Sequence, residues 1–209
     1  SRMMTGQVVI IDYGMGNIHS IQKKLARLKI NSLVSSSHQD IIAADKIILP
    51  GVGHFGKAME KLHQLDLIHV LNEEVLHKKK PILGICLGMQ LMALRSEEGN
   101  VNGLGWIDAD VIKFKVKEKL KYKIPHTGWN EIIIKKESSL MKGIPNLSEF
   151  YFVHSYHFKA HQSEDILNET DYEELFVSSI QRDNIFGVQY HPEKSHDVGE
   201  LVLKNFIQL

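Results

Sequence analysis

Residues 81–90 read PILGICLGMQ, and this stretch decides how the chain folds. A short apolar run ends at a turn flanked by glycines and leads into residues typical of a helix. The turn carries the one cysteine of the 209-residue chain, Cys86, between Gly84 and Gly88. The spacing G-x-C-x-G is typical of a nucleophile elbow, because small neighbours allow such a turn to close. The stretch therefore predicts a strand that turns sharply into a helix, with a thiol projecting from the edge of a sheet.

The position of Cys86 has chemical consequences. The start of a helix offers unpaired backbone N–H groups and the positive end of the helix dipole, and both favour a thiolate. The N–H of Leu87 is the natural first donor of an oxyanion hole. Gln90 lies on the same helix face, where its amide could bind a polar end of a substrate. A second interpretation stays open, since a free cysteine is often a small buried apolar residue.

Strands and helices alternate through the first half of the chain. Apolar runs at 7–14, 31–36 and 45–51 are separated from the one at 81–85 by helical spacing at 18–28 and 54–79. After Gly99 the pattern changes to β segments, with a surface loop at 163–171 and a last amphipathic helix at about 198–207. We therefore predict an α/β fold in a single domain. It has a central, mostly parallel sheet, helices on both faces, and an additional antiparallel or mixed sheet in the second half.

Length and composition limit the classes of function. The 209 residues suffice for one domain, which we expect at 5–209, with 1–4 as an N-terminal remnant. Equal numbers of basic and acidic residues, 25 each, argue against a nucleic-acid surface. No apolar stretch approaches the roughly 20 residues that cross a bilayer. A single cysteine and the lack of a secretory-type start fit a reducing cytoplasm.

A nucleophile needs a base, and the segment GVQYHPEKS supplies a candidate in His191. In an extended backbone, residues i and i+2 point to the same side, so Glu193 could hold the imidazole of His191 from behind. Pro192 stiffens this arrangement by fixing its own φ and by restricting the residue before it. Alone, a His-Pro-Glu sequence could be an exposed strand end. Together with the elbow it predicts a Cys-His-Glu catalytic set.

A second cluster of histidines offers a rival hypothesis, because His154, His157 and His161 lie within eight residues and could bind zinc. However, His154 and His157 point to opposite sides of a strand, and neither a second cysteine nor a tight set of carboxylates accompanies them. We therefore predict no metal site and no cofactor.

The combination of motifs resembles the class I, or triad, glutamine amidotransferases. The resemblance covers about 8–209 and is closest to the branch that holds the glutaminase subunits of imidazole glycerol phosphate synthase. The fold that it implies is flavodoxin-like. The segments that carry it are IDYGMGNIHS, LPGVGHFGKAM, GICLGMQLM, SEEG, GLGW, PHTGWNEI, FYFVHSY and GVQYHPEKS.

The resemblance implies a role for each matching residue. Cys86 is the nucleophile, His191 the general base and acid, and Glu193 its orienting partner. The remaining residues fall into three groups. An oxyanion hole is implied at Leu87, Gly51, Val52 and Gly53. Glutamine binding is implied at Gly88, Gln90, Glu98, Ser155 and Tyr156. The partner interface and ammonia path are implied at Trp129, Asn130, Tyr151 and Lys194.

The resemblance also implies a partner, because nothing in the chain resembles a synthase domain. In the family, ammonia passes into a (β/α)8-barrel cyclase subunit that forms imidazole glycerol phosphate and AICAR in histidine biosynthesis, so we expect a heterodimer. Thr127, Leu94 and Arg95 depart from residues common in the family. These departures bear on the partner, and they keep open the alternative that the chain feeds a sugar amidotransferase of surface-glycan biosynthesis. Two further hypotheses stay open apart from them: a γ-glutamyl cysteine hydrolase that needs no partner, and a binding subunit that keeps the fold but not the chemistry.

Overall fold

The structure, a computed structural model, describes residues 7–209. Within that range the α-helices are α1 (Ile18–Arg27), α2 (His38–Ala43), α3 (Phe55–Gln64), α4 (Ile68–Asn72), α5 (Leu87–Gln90) and α6 (His196–Ile207). The first seven strands are β1 (Val8–Ile11), β2 (Ser32–Ser35), β3 (Lys46–Leu49), β4 (Ile82–Ile85), β5 (Arg95–Ser96), β6 (Val101–Asn102) and β7 (Ala109–Lys113). The others are β8 (His126–Glu131), β9 (Ile133–Ile134), β10 (Glu149–His154), β11 (Tyr156–Ala160), β12 (Ile166–Tyr172), β13 (Glu174–Arg182) and β14 (Ile185–Val188). The remnant predicted at 1–4 lies outside the described residues, so the predicted domain limits stay a prediction.

One large sheet organises the fold. Its strand order is β2-β1-β3-β4-β14-β13-β11-β7-β5-β6, with β12 and β9 beside β13. The five strands from β2 to β14 are parallel, and their order of β2, β1, β3 and β4 is that of flavodoxin-like sheets. The strands from β14 through β13 and β11 to β7 pair antiparallel. A separate small sheet pairs β8 with β10. The predicted α/β class with a second, smaller sheet is confirmed.

Side chains of the parallel strands alternate between two cores. In β1, Val9 and Ile11 belong to the core that α2, α3 and α4 cover. Val8 and Ile10 belong to the opposite core, which α1 and α6 cover. Both faces of a parallel sheet are buried in this way, which is why its strands read as continuous apolar runs. The carboxyl ends of the strands stay uncovered, and they are where open α/β sheets place their sites.

Four details differ from the sequence prediction. The short helix α2 was not expected, and the helix after residue 67 changes to a π-helical turn at Glu73–His77. The predicted loop at 163–171 is wrong, because most of it forms β12, which pairs with β13. The segment EFYFVHSYHF, expected as one β segment, forms β10 and β11 in different sheets, and the chain crosses between them at Ser155.

None of the helices in residues 7–209 has the length and apolar character that a membrane crossing requires.

Candidate active site

The elbow predicted around Cys86 is formed. Cys86 has φ 56° and ψ −114°, a backbone conformation that residues other than glycine rarely adopt. Its N–H donates to the carbonyl of Val188 at 2.8 Å, which ties the turn to β14. A Cβ on Gly84 would lie 2.8 Å from the backbone of Gly88, and one on Gly88 would lie 1.9 Å from the carbonyl oxygen of Leu49. The G-x-C-x-G spacing is therefore a steric requirement of this turn.

His191 and Glu193 are buried together at the end of β14. Nδ1 of His191 lies 2.8 Å from Oε2 of Glu193, so the carboxylate fixes the Nδ1–H tautomer and leaves Nε2 for chemistry. Burial alone would lower the pKa of His191, but the negative charges of Cys86 and Glu193 raise it to about 10. Among the described residues, Nε2 finds no hydrogen-bond partner. The structure thus brings Cys86, His191 and Glu193 into one buried array.

A residue that the sequence did not suggest also contacts the thiol. Nε2 of Gln189 lies 3.7 Å from Sγ of Cys86, and the carbonyl of Val153 lies 3.9 Å from the same sulfur. Gln189 is fully buried. The available signal was proximity in sequence, because Gln189 precedes His191 by only two residues.

The predicted oxyanion donors lie beside Cys86, but their hydrogen bonds are occupied. The N–H of Leu87 donates to the carbonyl of Gly51 at 3.1 Å, and the N–H of Val52 donates to the carbonyl of Met15 at 2.5 Å. The Gly51 carbonyl and the Val52 N–H belong to one peptide group. Gly53 follows with φ 109°, and a Cβ on Gly51 would lie 2.7 Å from the hydroxyl of Tyr13. In this state the oxyanion hole is not formed.

Two of the residues expected to bind glutamine, Gln90 and Tyr156, are hydrogen-bonded to each other near Cys86. Gln90 is buried, and its Nε2 donates to the carbonyl of Tyr156 at 3.1 Å and to Oε1 of Gln189 at 2.9 Å. Glu98 accepts a hydrogen bond from the N–H of Phe55 at 2.8 Å, at the start of α3. Burial and then the charge of Glu98 raise the pKa of Tyr156, so the two side chains are close. Gly88, in α5, and Ser155, at the crossover between the sheets, adjoin them.

The four residues expected at a partner interface are spread over β8, β10 and the turn after His191. Trp129 is 44% exposed, stacks on His196 with ring centroids 4.9 Å apart, and meets Tyr151 edge to face. Lys194 is exposed one residue after Glu193. The Asn130 amide is turned inward, toward His126.

The three histidines of the zinc hypothesis do not converge. His161 pairs with Asp110, and His154 is buried against His126. Between residues 7 and 209, no group of three or more His, Cys, Asp or Glu side chains is placed to hold a metal ion.

Comparison with known proteins agrees with this geometry. Residues 9–209 match the family described as glutamine amidotransferase class-I. The solved structure of PurLQS from Thermotoga maritima has a TM-score of 0.70 at 15% identity, covering 97% of this chain and 97% of that chain. The glutaminase domain of Trypanosoma brucei CTPS, solved with acivicin, has a TM-score of 0.66 at 17% identity, covering 98% of this chain and 94% of that chain. Fold and site together define a class-I glutamine amidotransferase.

Three curated relatives show which family within this class the chain resembles. Imidazole glycerol phosphate synthase subunit HisH 2 of Pseudomonas aeruginosa is 46% identical over 97% of this chain and 99% of its own length. Subunit HisH 1 of Campylobacter jejuni is 47% identical over 97% of this chain and 100% of its own length. Subunit HisH of Methanocaldococcus jannaschii is 46% identical over 96% of this chain and 98% of its own length. The chain belongs to the class-I glutamine amidotransferases and, within them, to the HisH family.

Proposed function

We propose that this chain is the glutaminase subunit of an imidazole glycerol phosphate synthase and acts in the cytoplasm, in histidine biosynthesis. It hydrolyses L-glutamine to glutamate and ammonia without a cofactor. The observation that carries the proposal is the buried array of Cys86, His191 and Glu193 at a strained elbow. A buried thiol, a base with a free Nε2 and a carboxylate that orients the base are the parts that nucleophilic acyl transfer requires.

The first half of the reaction forms a thioester. The Cys86 thiolate attacks the side-chain amide carbon of glutamine, and the carbonyl oxygen gains the negative charge. His191 then donates its Nε2 proton to the leaving nitrogen, the C–N bond breaks, and ammonia departs. In the second half, Nε2 takes a proton from water, the hydroxide attacks the γ-glutamyl thioester, and glutamate leaves as the Cys86 sulfur is released.

The oxyanion hole requires a change in the segment after Pro50. Rotating the peptide between Gly51 and Val52 would remove the Gly51 carbonyl from the Leu87 N–H and would present the Val52 N–H to the pocket. Two hydrogen bonds would be broken and two donors released toward the oxyanion. The rotation changes ψ of Gly51 and φ of Val52, and Gly51 accepts a wide range of backbone angles, as does Gly53 one residue further on. The resting state therefore has low activity, and a partner or substrate stabilises the rotated one.

The ammonia goes to a second chain. We infer a heterodimer with a (β/α)8-barrel cyclase, seated on the surface of Trp129, Tyr151 and Lys194, close to His191. Tyr151 is directly linked to the site, because its carbonyl accepts the N–H of His191 at 2.9 Å. A covered path is needed because ammonia that reaches bulk water is protonated and diluted.

Labelling by an electrophilic glutamine analogue tests the glutaminase assignment. We expect one equivalent of acivicin on Cys86, located by mass spectrometry of the digested chain, with glutamine protecting the site. Labelling elsewhere, or labelling that glutamine does not slow, would contradict the proposal. Glutamate release from γ-glutamyl peptides by the chain alone would favour the partner-independent hydrolase instead.

The names of two relatives support an alternative acceptor for the ammonia. The names of the Pseudomonas aeruginosa and Campylobacter jejuni subunits carry the numbers 2 and 1, which mark more than one such subunit. A chain of this kind could serve a sugar amidotransferase. Product formation with the sugar amidotransferase and none with the cyclase of the histidine pathway would change the acceptor and leave the glutaminase chemistry intact.

A further inference from the structure

Two buried histidines outside the catalytic array, His126 and His154, face each other across the small sheet. They are cross-strand neighbours in β8 and β10, and Nδ1 of His126 lies 3.0 Å from Nε2 of His154. Aromatic rings surround the pair; Phe114 packs against His154 at 5.0 Å and Tyr172 against His126 at 4.1 Å between centroids. The proposed chemistry uses neither histidine.

The hydrogen bonds of the pair have one consistent direction. Nδ1 of His154 lies 2.8 Å from the carbonyl of Tyr156, which can only accept, so Nδ1 carries the proton and Nε2 accepts. Nδ1 of His126 must then donate to His154, and Nε2 of His126 accepts from the Asn130 amide at 3.2 Å. Burial lowers the pKa of both histidines, of His126 to about 4, so each ring is neutral and carries a single proton. We call the series Asn130, His126, His154 and the Tyr156 carbonyl the histidine chain.

The outer end of the histidine chain depends on a bend in β8. Residues four apart in a regular strand lie about 13 Å apart, too far for Asn130 to reach His126. Gly128 lies between them with φ 127°, a conformation that favours glycine, and the strand bends there. Asn130 is held in turn by Asp171, whose carbonyl accepts from the same amide nitrogen at 3.0 Å.

The inner end of the histidine chain reaches the glutamine pocket. The Tyr156 carbonyl accepts from both His154 and Gln90, which occupies its two lone pairs. Gln90 donates to Oε1 of Gln189, and Nε2 of Gln189 lies 3.7 Å from the sulfur of Cys86. The hydrogen bond from His154 to the Tyr156 carbonyl bridges Ser155, the residue where the backbone leaves one sheet and enters the other. At that crossover the Phe114 N–H donates to the Ser155 carbonyl at 3.1 Å, and the side chain of His154 adds a second tie, to the Tyr156 carbonyl.

We propose that His126 and His154 are positioning residues for substrate binding, which hold the backbone at Ser155 and Tyr156 and the amide of Gln90 where they receive the α-amino and α-carboxylate groups of glutamine. This rests on the proposed function, because it takes glutamine as the ligand of the pocket. The histidine chain touches neither the leaving amide nor the His191 ring. Its loss should therefore weaken the binding of glutamine and leave the chemical step nearly intact.

Four variants test the proposal, each assayed for glutaminase kinetics in the complex with saturating cyclase partner. His126→Phe removes both hydrogen bonds and should raise the KM for glutamine at least about tenfold with kcat within about threefold. His126→Gln, which can keep the bond to Asn130 but loses the donor to His154, should behave the same way. His126→Asn places an amide donor near the position of Nδ1 and should restore KM to within about threefold. His157→Phe is the matched control, because His157 packs on the same Phe114 ring outside the histidine chain.

A second readout separates positioning from general damage. Alkylation of Cys86 by iodoacetamide does not require the glutamine pocket, so its rate should be unchanged in all four variants. A KM unchanged in both His126→Phe and His126→Gln, or equal changes in His126→Phe and His157→Phe, would overturn the proposal. A fall in kcat at unchanged KM would overturn it too. Should His126→Phe not fold, the polar pair His126→Gln and His126→Asn carries the comparison. Failure of the proposed function itself would show in the wild type, as no release of glutamate.

Discussion

At the scale of single residues, the site combines strain with burial. Cys86 keeps an unfavourable positive φ because the Val188 hydrogen bond and the close contact of Gly84 with Gly88 leave the turn no alternative. Such strain is typical of functional positions, where the surrounding structure outweighs a cost of about 1–3 kcal/mol. The buried carboxylate of Glu193 has one partner, His191, and its Oε1 has none among the described residues. Its negative charge therefore acts mainly on the imidazole.

Replacing the Glu193 carboxylate by an amide should remove its negative charge while keeping the shape of the side chain. We expect Glu193→Gln to lower kcat by about 10²- to 10⁴-fold, since the orienting charge and the tautomer are no longer fixed. The pKa of His191 should fall, so the alkaline limb of the kcat profile should move to lower pH, because the protonated ring is the acid. Glu200→Gln, which breaks a surface ion pair with Lys24, is the control and should leave the profile unchanged. A Glu193→Gln enzyme with wild-type kcat would contradict this role.

The neutral state of His126 makes stability depend on pH. Its pKa is about 4 in the folded chain and about 6.5 when unfolded, so the unfolded chain binds the extra proton between these values. The free energy of unfolding should therefore fall as pH decreases from about 6.5 to about 4. The His126→Phe variant has no imidazole at this position to take up the proton. Its free energy of unfolding should therefore fall less than that of the wild type, by on the order of 1–3 kcal/mol. Urea unfolding of wild type and variant at pH 7.5, 6 and 5 measures this difference. The same pH dependence of the free energy of unfolding in both proteins would refute the lowered pKa of His126.

At the scale of elements, the segment between β3 and α3 is proposed to control the oxyanion hole. The Tyr13 hydroxyl donates to the Pro50 carbonyl at 2.7 Å in a buried position, which fixes the peptide just before the one that must rotate. The rotation is therefore confined to the Gly51–Val52 peptide and the residues that follow it. A change of this size involves one peptide group and leaves the sheet and the elbow in place.

Proline at position 52 should block the second oxyanion donor. Val52→Pro removes the N–H that the rotated peptide would supply, and we expect kcat to fall by about 10²- to 10³-fold. Val52→Ala keeps the N–H, and since Val52 is 39% exposed, it should stay near wild type. Glutaminase assays with the partner present compare the two. Equal activity of both variants would mean that Val52 is not a donor.

The sequence predicted the elements that follow simple periodicity and missed those that depend on distant contacts. The parallel strands and the triad were predictable, because apolar runs, the G-x-C-x-G turn and the His-Pro-Glu spacing are local signals. Strand β12 was missed because its polar residues read as a loop. Asn168 and Thr170 are buried there, where Asn168 accepts from the Tyr190 hydroxyl and Thr170 donates to Ser178. The pair of His126 and His154 lies 28 positions apart in sequence, and only the strand pairing brings the two rings together.

At the scale of the whole molecule, the small sheet connects a surface with the site. The cross-strand pair of Trp129 and Tyr151 lies on the same two strands as the pair of His126 and His154. Tyr151 binds the backbone of His191, and Trp129 stacks on His196 at the start of α6. A partner bound to Trp129 and Tyr151 would therefore contact Tyr151, whose carbonyl is hydrogen-bonded to the backbone of His191, the residue that protonates the departing ammonia.

Truncation of the exposed tryptophan should weaken assembly without unfolding the chain. We expect Trp129→Ala to raise the Kd for the cyclase partner at least about tenfold, because an exposed aromatic side chain at an interface centre is a common hot spot. The free energy of unfolding should change by less than about 1 kcal/mol, as for most exposed positions. Leu120→Ala, at a position 91% exposed in a different loop, is the control. Calorimetric titration with an unchanged Kd for Trp129→Ala would place the partner elsewhere.

In the proposed reaction, Cys86 takes the γ-glutamyl group of glutamine, and ammonia leaves as it does so. The most direct measurement is steady-state glutamate formation from glutamine, with the proposed cyclase partner present, for the wild type and for Cys86→Ala. We predict that the substitution lowers the rate at least about 10³-fold while the complex still forms. Glutamate formation by Cys86→Ala at a rate close to wild type would contradict the account.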